Sequence, residues 1–395
     1  MKFLAVLGRL PEISLAEIEA LYGETILTAP NLATFENDEP PEIDRLGGTM
    51  KLARLLDVAP LEFLQSLPSG KITLGLSDYS TRASVANVRR EAMRLKKILS
   101  RHGRSVRALD NKQAVLSTAT VLHNGLGRKE RAVELILVNK DWYVGVGVQD
   151  IEAYTRRDQA RPARDAKVGM LPPKLAQILI NLCGPLPAGA RVLDPFCGTG
   201  VVLQEAYLMG YTPYGTDASE RMVEYSQKNL AWLTETDKCF YRDASGAPVF
   251  TGRQRSGSVA TCAKPSKNTY SVSVGDATSF TWEQPVDAVA CETYLGPPMS
   301  QPPVDIKLKT VKAECGEIIS GFLKNIAPQL KSGVPLVLAV PAWRRPNGSY
   351  SRLDLLDKIE EMGYNVLKRN SGSDNLLYYR DGQVVAREII VLRKK

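Results

Sequence analysis

The sequence predicts an α/β protein whose carboxy-terminal half is a largely parallel, doubly wound sheet and whose amino-terminal half holds smaller α/β modules. Three observations predict it. From residue 191 onward, short apolar runs alternate with runs of helical periodicity, the pattern of a parallel sheet with helices on both faces. Residues 192–200, VLDPFCGTG, pass from a strand through a turn holding Gly198 and Gly200 into VVLQEAYLMG, which has helical spacing. Such a strand–turn–helix unit lets backbone approach a ligand closely. Near the end, LLYY and VVAREIIVL flank Arg380-Asp381-Gly382-Gln383. An Asp-Gly turn between apolar runs marks a hairpin, so the last strand is expected to enter antiparallel.

Taken in order, residues 1–60 read as an amino-terminal α/β module. It opens with a strand from Phe3 to Leu7 and a helix from Ser14 to Tyr22, where Ser14 and Glu17 have the spacing of a capping box. Short strands and a turn at Gly47-Gly48 follow. Residues 61–150 read as a second α/β domain. Over 84–101, Val88, Ala92, Leu95, Ile98 and Leu99 form one helical face, and Arg89, Arg90, Arg94, Lys96, Lys97 and Arg101 the other. Strands are expected at Ala114 to Thr118, Arg131 to Asn139 and Trp142 to Val148.

Residues 151–174 are polar, basic and Pro-containing, and read as a linker whose Arg156, Arg157, Arg161 and Arg164 would line the path to a binding pocket. The carboxy-terminal domain is expected over 175–395, its first helix opening at Pro172-Pro173, since proline is tolerated in a first turn. Strands are expected at 191–193, 213–216, 272–274, 287–291 and 334–340. Helices are expected at 201–209, 220–233, 314–330 and 352–362. Residues 237–270 interrupt this alternation with aperiodic Ser, Gly, Thr, Lys and Arg, and read as a flexible insertion where a loop of roughly 2–6 residues is usual.

Composition narrows the function. A chain of 395 residues is long for one core, so two or three domains are expected. No apolar stretch approaches a membrane span, and MKFLAVLGRL, interrupted by Arg9, reads as a first strand rather than a signal peptide. Six cysteines without a CxxC pair, beside two histidines, argue against a zinc site. The expectation is a cytoplasmic, reduced protein with no metal and no membrane contact. Net charge is +8, but its placement says more. Between Arg82 and Arg131 stand thirteen Lys/Arg against three acids, the footprint of a polyanion partner.

The glycine turn carries a chemical constraint. Asp194 opens it, and a carboxylate there repels phosphate and welcomes a cation. That favours S-adenosylmethionine, with its sulfonium and ammonium groups, over a dinucleotide. Asp217, in YGTD about twenty residues on, stands where a carboxylate can hold ribose hydroxyls.

DPFCGTG, the upstream RRDQARPARDAKVGMLPPKLAQILINL and the amino-terminal GRLPEISLAEIEAL with LGGTMKLA resemble the tRNA guanine-10 N2-methyltransferases, which are THUMP-containing RNA methylases. The resemblance covers nearly the whole chain apart from 237–270. It implies a Rossmann-like seven-stranded methyltransferase domain preceded by the amino-terminal module and a THUMP-like domain, methylating an exocyclic amine with S-adenosylmethionine as cofactor. It further implies that Asp194, Phe196, Gly198 and Gly200 meet the methionine side, that Asp217 holds the ribose, and that Asp276 and Ala277 receive the adenine. Leu171, Pro172 and Pro173 would close the near wall. The implied partner is tRNA, gripped through Arg89, Arg90, Arg94, Lys97, Arg101, Arg157 and Arg161; a small activating partner protein is compatible with the resemblance. Cys197 reads as a small packed residue, since no histidine neighbours it as a base.

The catalytic motif departs from the family. Amino-group methyltransferases carry Asp/Asn-Pro-Pro-Tyr/Phe after the fourth strand, to accept hydrogens from the target amine and to stack on a flipped base. Here VDAVACETYLGPP places Glu292, Thr293 and Tyr294 there. Two readings stand. In one, Glu292 accepts the amine hydrogen and Tyr294 stacks on the guanine. In the other, the chain binds tRNA without chemistry or methylates another nucleic-acid amine.

Overall fold

Apolar strands in the first 150 residues assemble into one sheet rather than two. The computed structural model describes residues 1–165, 170–236, 270–367 and 376–395, and the chain divides into two compact units, one holding most of 1–153 and the other most of 154–395. The first contains β1 (Lys2–Leu7), α1 (Pro11–Tyr22), β2 (Thr25–Ala29), β3 (Leu32–Glu36), β4 (Thr49–Leu55), α2 (Pro60–Ser66), β5 (Ile72–Asp78) and α3 (Val85–Arg101). It continues with β6 (Val106–Ala108), α4 (Thr118–His123), β7 (Ala132–Val138) and β8 (Asp141–Val148). Strand order is β2-β3-β1-β4-β8-β7-β5-β6. The expected boundary at residue 60 therefore divides the chain but not the sheet, because β4 pairs antiparallel with β8 from Lys51↔Val148 to Leu55↔Tyr143.

Two local expectations are corrected here. Ser14 and Glu17 do not cap α1, which begins at Pro11. Both are buried inside it and reach another segment: the Glu17 carboxylate accepts from the Gly47 and Gly48 amides at 2.9 and 2.8 Å, and the Ser14 hydroxyl donates to the Gly48 carbonyl at 2.7 Å. The run Ala114 to Thr118 forms no strand. Ser117 accepts a hydrogen bond from the Thr120 amide and caps α4, drawing the chain into a helix. By contrast α3 forms as expected. Ser84 caps it, and Val88, Ala92, Leu95 and Leu99 are buried against the sheet.

A buried ion pair ties the two halves of this sheet. Lys51 Nζ on β4 donates to Glu134 Oε1 on β7 at 2.7 Å and to the Leu116 carbonyl at 2.7 Å, while the Ser77 hydroxyl donates to the same Glu134 oxygen at 2.6 Å. The pair spans β8, where Gly145 leaves room: a Cβ there would lie 3.3 Å from that of Glu134.

The second unit begins within α5 (Ile151–Gln159) and contains α6 (Pro173–Leu182), β9 (Arg191–Asp194), α7 (Val201–Leu208), β10 (Thr212–Asp217), α8 (Glu220–Thr236), β11 (Ser271–Val274) and β12 (Ala288–Glu292). After these come α9 (Asp305–Ile326), β13 (Pro335–Arg344), β14 (Tyr350–Ser351), α10 (Leu356–Ile359), β15 (Tyr364–Val366), β16 (Leu377–Tyr378) and β17 (Val385–Lys394). The order is β11-β10-β9-β12-β13-β17-β15, with β14 on β13 and β16 on β17. Strands β9 to β13 run parallel, and β17 enters antiparallel between β13 and β15. The carboxy-terminal hairpin forms, β16 pairing antiparallel with β17. One face of β12 and β13 packs on α9 through Val289, Cys291, Leu336, Leu338, Ile319 and Phe322.

The expected linker is partly helix, since α5 occupies Ile151–Gln159. The helix expected over 352–362 is only α10, and α9 starts nine residues before the expected Glu314. The insertion expected over 237–270 lies outside the described residues except for Tyr270. Among the described residues no helix is long and apolar enough to cross a membrane.

Removing Lys51 strands a buried carboxylate, which typically costs about 3–5 kcal/mol. Lys51→Met is expected to lower stability by that order in urea unfolding, and Lys51→Met/Glu134→Leu to recover most of it.

Candidate active site at the carboxyl edge of the second sheet

Parallel strands end at one edge, so residues closing β9, β10 and β12 meet there. The strand order reverses its sense between β9 and β12, and a crevice at such a switch point is where open α/β sheets bind ligands. Asp194 ends β9, Asp217 ends β10 and Glu292 ends β12.

Asp194 is only 2 % exposed. Burial pushes its carboxyl well above the ordinary carboxylate range, and the charges of Asp217 and Glu292 push the same way, against one hydrogen bond from the Phe196 amide at 3.1 Å. Asp217 accepts from the Gly198 and Ser219 amides, both at 2.9 Å. Among the described residues neither acid has a lysine or arginine partner, whereas Glu292 pairs with Arg387. Among the described residues, a cation is what these two acids lack.

The turn above these acids has the shape a ligand needs. Gly198 has φ +51°, and a Cβ built on it would meet nothing nearer than the Phe196 carbonyl at 4.0 Å, so its outer side is open. Gly200 has φ +80° and precedes α7. A Cβ there would come within 2.8 Å of Ser226 Oγ and 3.2 Å of Ser226 Cα. Asn229 of α8 holds the turn from behind, accepting from the Ala163 amide at 3.0 Å and donating to the Ala163 and Thr199 carbonyls, both at 2.9 Å. Cys197 is packed with Leu203 and Leu230, and burial raises its thiol.

The remaining expected residues fall in two groups. Leu171 and Pro172 are buried at the start of α6, Phe196 is half-buried with its edge against Phe322, and Ala277 is buried. Asp276 follows β11 on the surface, where its carboxylate accepts from the Thr278 amide and hydroxyl, which holds it below its ordinary range. Tyr294 is half-buried against the core, its hydroxyl 3.4 Å from Glu314. Thr293 does not take the catalytic place expected of it: it is buried, and its amide and hydroxyl both donate to the Ala339 carbonyl. It extends the strand and has no proton left for a substrate.

Two of the expected RNA-binding residues are also corrected. Arg157 and Arg161 are 2 % and 3 % exposed. Arg157 forks onto Glu205 of α7 at 2.8 and 3.3 Å, and Arg161 donates to Asp158 at 3.2 Å. Helix formation in α5 turns Arg157 inward, where the buried Glu205 carboxylate offsets the loss of water, while Arg161, beyond the end of α5, is buried beside the partly exposed Asp158. Arg89, Arg90, Arg94, Lys97 and Arg101 are exposed along α3 in the first unit. Arg89 pairs with Asp110 and Arg94 with Glu91.

Arg387 and Asn229 were not foreseen. Arg387 had a legible signal, a charged pair Arg387-Glu388 inside an otherwise apolar strand, since buried charges need partners. Asn229 had none. Among the described residues no group of three His, Cys, Asp or Glu side chains is arranged to hold a metal ion.

A family described as an RMKL-like methyltransferase domain (UPF0020) matches residues 161–340. The chain is 30 % identical to the tRNA (guanine(10)-N2)-dimethyltransferase of Pyrococcus abyssi over 252 residues, 60 % of this chain and 69 % of that protein. The chain belongs to this family. It is also 30 % identical over 206 residues to the protein of the same name from Methanothermobacter thermautotrophicus, covering 52 % of this chain and 46 % of that one. The chain thus spans less than half the length of the Methanothermobacter relative. Among solved structures, TrmN from Thermus thermophilus aligns over 100 % of both chains at 17 % identity with a TM-score of 0.46.

Gly200→Ala combines a left-handed backbone, costing about 1–2 kcal/mol, with a clash against α8. It is expected to lower the melting temperature and to abolish binding of S-adenosylhomocysteine in calorimetry.

Proposed function

We propose that this protein transfers a methyl group from S-adenosylmethionine to the exocyclic N2 amine of a guanosine in tRNA. One observation carries the reading. An open glycine turn stands over two carboxylates, Asp194 and Asp217, that have no cationic partner among the described residues, with a third carboxylate, Glu292, at the end of the neighbouring strand.

The residues fit the cofactor. Asp194 and the 196–200 turn would meet its charged methionine end, Asp217 has lone pairs left for ribose hydroxyls, and Asp276 with Ala277 would receive the adenine beside Leu171 and Pro172. When bound, S-adenosylmethionine supplies a methyl group on a sulfonium. The chain's own task is positioning. Glu292 accepts a hydrogen bond from the target amine, and half-buried Tyr294 offers a ring on which an extruded guanine stacks. Placement matters because errors near 1 Å cost on the order of a hundredfold in rate.

Residues 1–60 and 61–150 would serve as the amino-terminal module and THUMP-like domain that grip the tRNA, and 175–395 as the methyltransferase domain. The exposed row of Arg89, Arg90, Arg94, Lys97 and Arg101 supports that grip, since cations along one helix face suit an RNA backbone. Such an enzyme works in the cytoplasm, where tRNA is.

Incubation with labelled S-adenosylmethionine and total tRNA, followed by nucleoside mass analysis, is expected to yield N2-methylated guanosine. Glu292→Ala should lower the rate by at least about a hundredfold. Cofactor binding without transfer to any tRNA would overturn the reading. Charge reversal at Lys97 and Arg101 together is expected to weaken tRNA binding and flatten its dependence on salt, because fewer counterions are released. Unchanged binding in a filter assay would remove α3 from the grip.

A further inference from the structure

The charged pair between β12 and β17 has a geometry that an ordinary structural salt bridge does not need. Glu292 lies opposite Ala339 of β13, Ala339 opposite Ile389 of β17, and Arg387 opposite Pro341. The pair thus reaches across β13. Val289 and Cys291 face α9, so Glu292, next in the strand, projects from the other side of the sheet, where α6 packs. Arg387 is buried and donates its Nε to Glu292 Oε1 at 2.7 Å. Glu292 Oε2 accepts no hydrogen bond among the described residues, and the side chain remains 16 % exposed.

We infer that Arg387 is a positioning residue: it holds one oxygen of Glu292 so that the other is presented, ionised, to the target amine. The inference rests on the methyltransferase reading above. Four features support it. Arginine–carboxylate pairs are frequently two-point forks, as Arg157 makes on Glu205; here one oxygen of a partly exposed side chain is left over. A glutamate has one more rotatable bond than an aspartate, and no proline stiffens 292–295, so the carboxylate needs an outside tether to keep one direction. The charges around it also require one. Asp194 ends the neighbouring strand β9 with a carboxylate of the same sign, and Lys174, at the start of α6, stands over the Tyr154 ring. Finally, burial raises the Glu292 carboxyl, and the Arg387 charge offsets part of that rise.

The test uses the full chain. Glu292 ionisation is read by infrared difference spectra of the carboxylate band against pH, with Glu292→Gln as the blank. This measurement is independent of catalysis. In Arg387→Met the loss of the lowering charge should move Glu292 ionisation to higher pH. The acid limb of the pH–kcat profile should move the same way, with kcat near neutrality falling at least about tenfold. Binding of S-adenosylhomocysteine and the KM for tRNA should stay close to those of the parent. Arg387→Lys should restore much of the limb, and in a Glu292→Gln background Arg387→Met should add little further loss. If Arg387→Met does not fold, the same titration of Arg387→Lys, whose ammonium reaches less far, should show a smaller upward move. An unmoved infrared titration overturns the inference whatever the activity, as does an Arg387→Met enzyme faster than the parent, which would make the pair an obstruction. A parent enzyme that leaves guanine N2 unmethylated while the titration still moves overturns the reaction and not the pairing.

Discussion

Same-sign charge gathered at one edge is the constraint on which the second unit depends. Four of the five parallel strands finish close together, and three that are adjacent in the sheet finish on carboxylates: Asp217, Asp194 and Glu292. Burial and mutual repulsion both raise Asp194. Backbone amides supply part of the compensation, with Phe196 donating to Asp194 and Gly198 and Ser219 to Asp217. Those bonds are weaker than a full charge, so the edge stays receptive to a cation. The open side of Gly198 is where one can enter.

Compensation for the third carboxylate comes from the one feature that breaks the parallel pattern. A parallel strand would deliver its carboxyl end to the same crowded edge. Strand β17 runs the other way and brings the first half of its length, with Arg387 and Glu388, alongside the end of β13. A guanidinium so delivered reaches Glu292 from two strands away. Glu388, its neighbour in sequence, pairs with Arg352 at 3.0 Å. The hairpin that turns the chain thus contributes charge as well as a strand.

The same economy of buried charge organises the rest. In the first unit, Lys51 and Glu134 join β4 to β7 over the space left by Gly145, which makes one sheet of two sequence segments. At the start of the second unit, Arg157 and Glu205 fasten α5 to α7. Each pair stands where a neutral core would also serve, and each is stable only while both partners remain.

Much of this was legible in the chain. Alternation of apolar runs, the 192–200 turn and the Asp-Gly hairpin defined the doubly wound sheet because local periodicity and turn chemistry act over a few residues. Asp194 and Asp217 could be placed because strand ends and glycine turns position them through nearby backbone. What periodicity could not supply was the partner of any charge. Arg156, Arg157, Arg161 and Arg164 look alike in a basic segment, yet helix α5 buries Arg157, and Arg161 two residues beyond its end is buried as well, while Arg164 stays exposed. Ser14 and Glu17 have a capping spacing, yet serve the Gly47-Gly48 turn. Glu292 and Arg387 are 95 residues apart in the chain, and only the strand order makes them neighbours. Sequence determined which elements form and which acids end the strands; tertiary structure decided which charges are paired, because pairing depends on distances that sequence separation does not record.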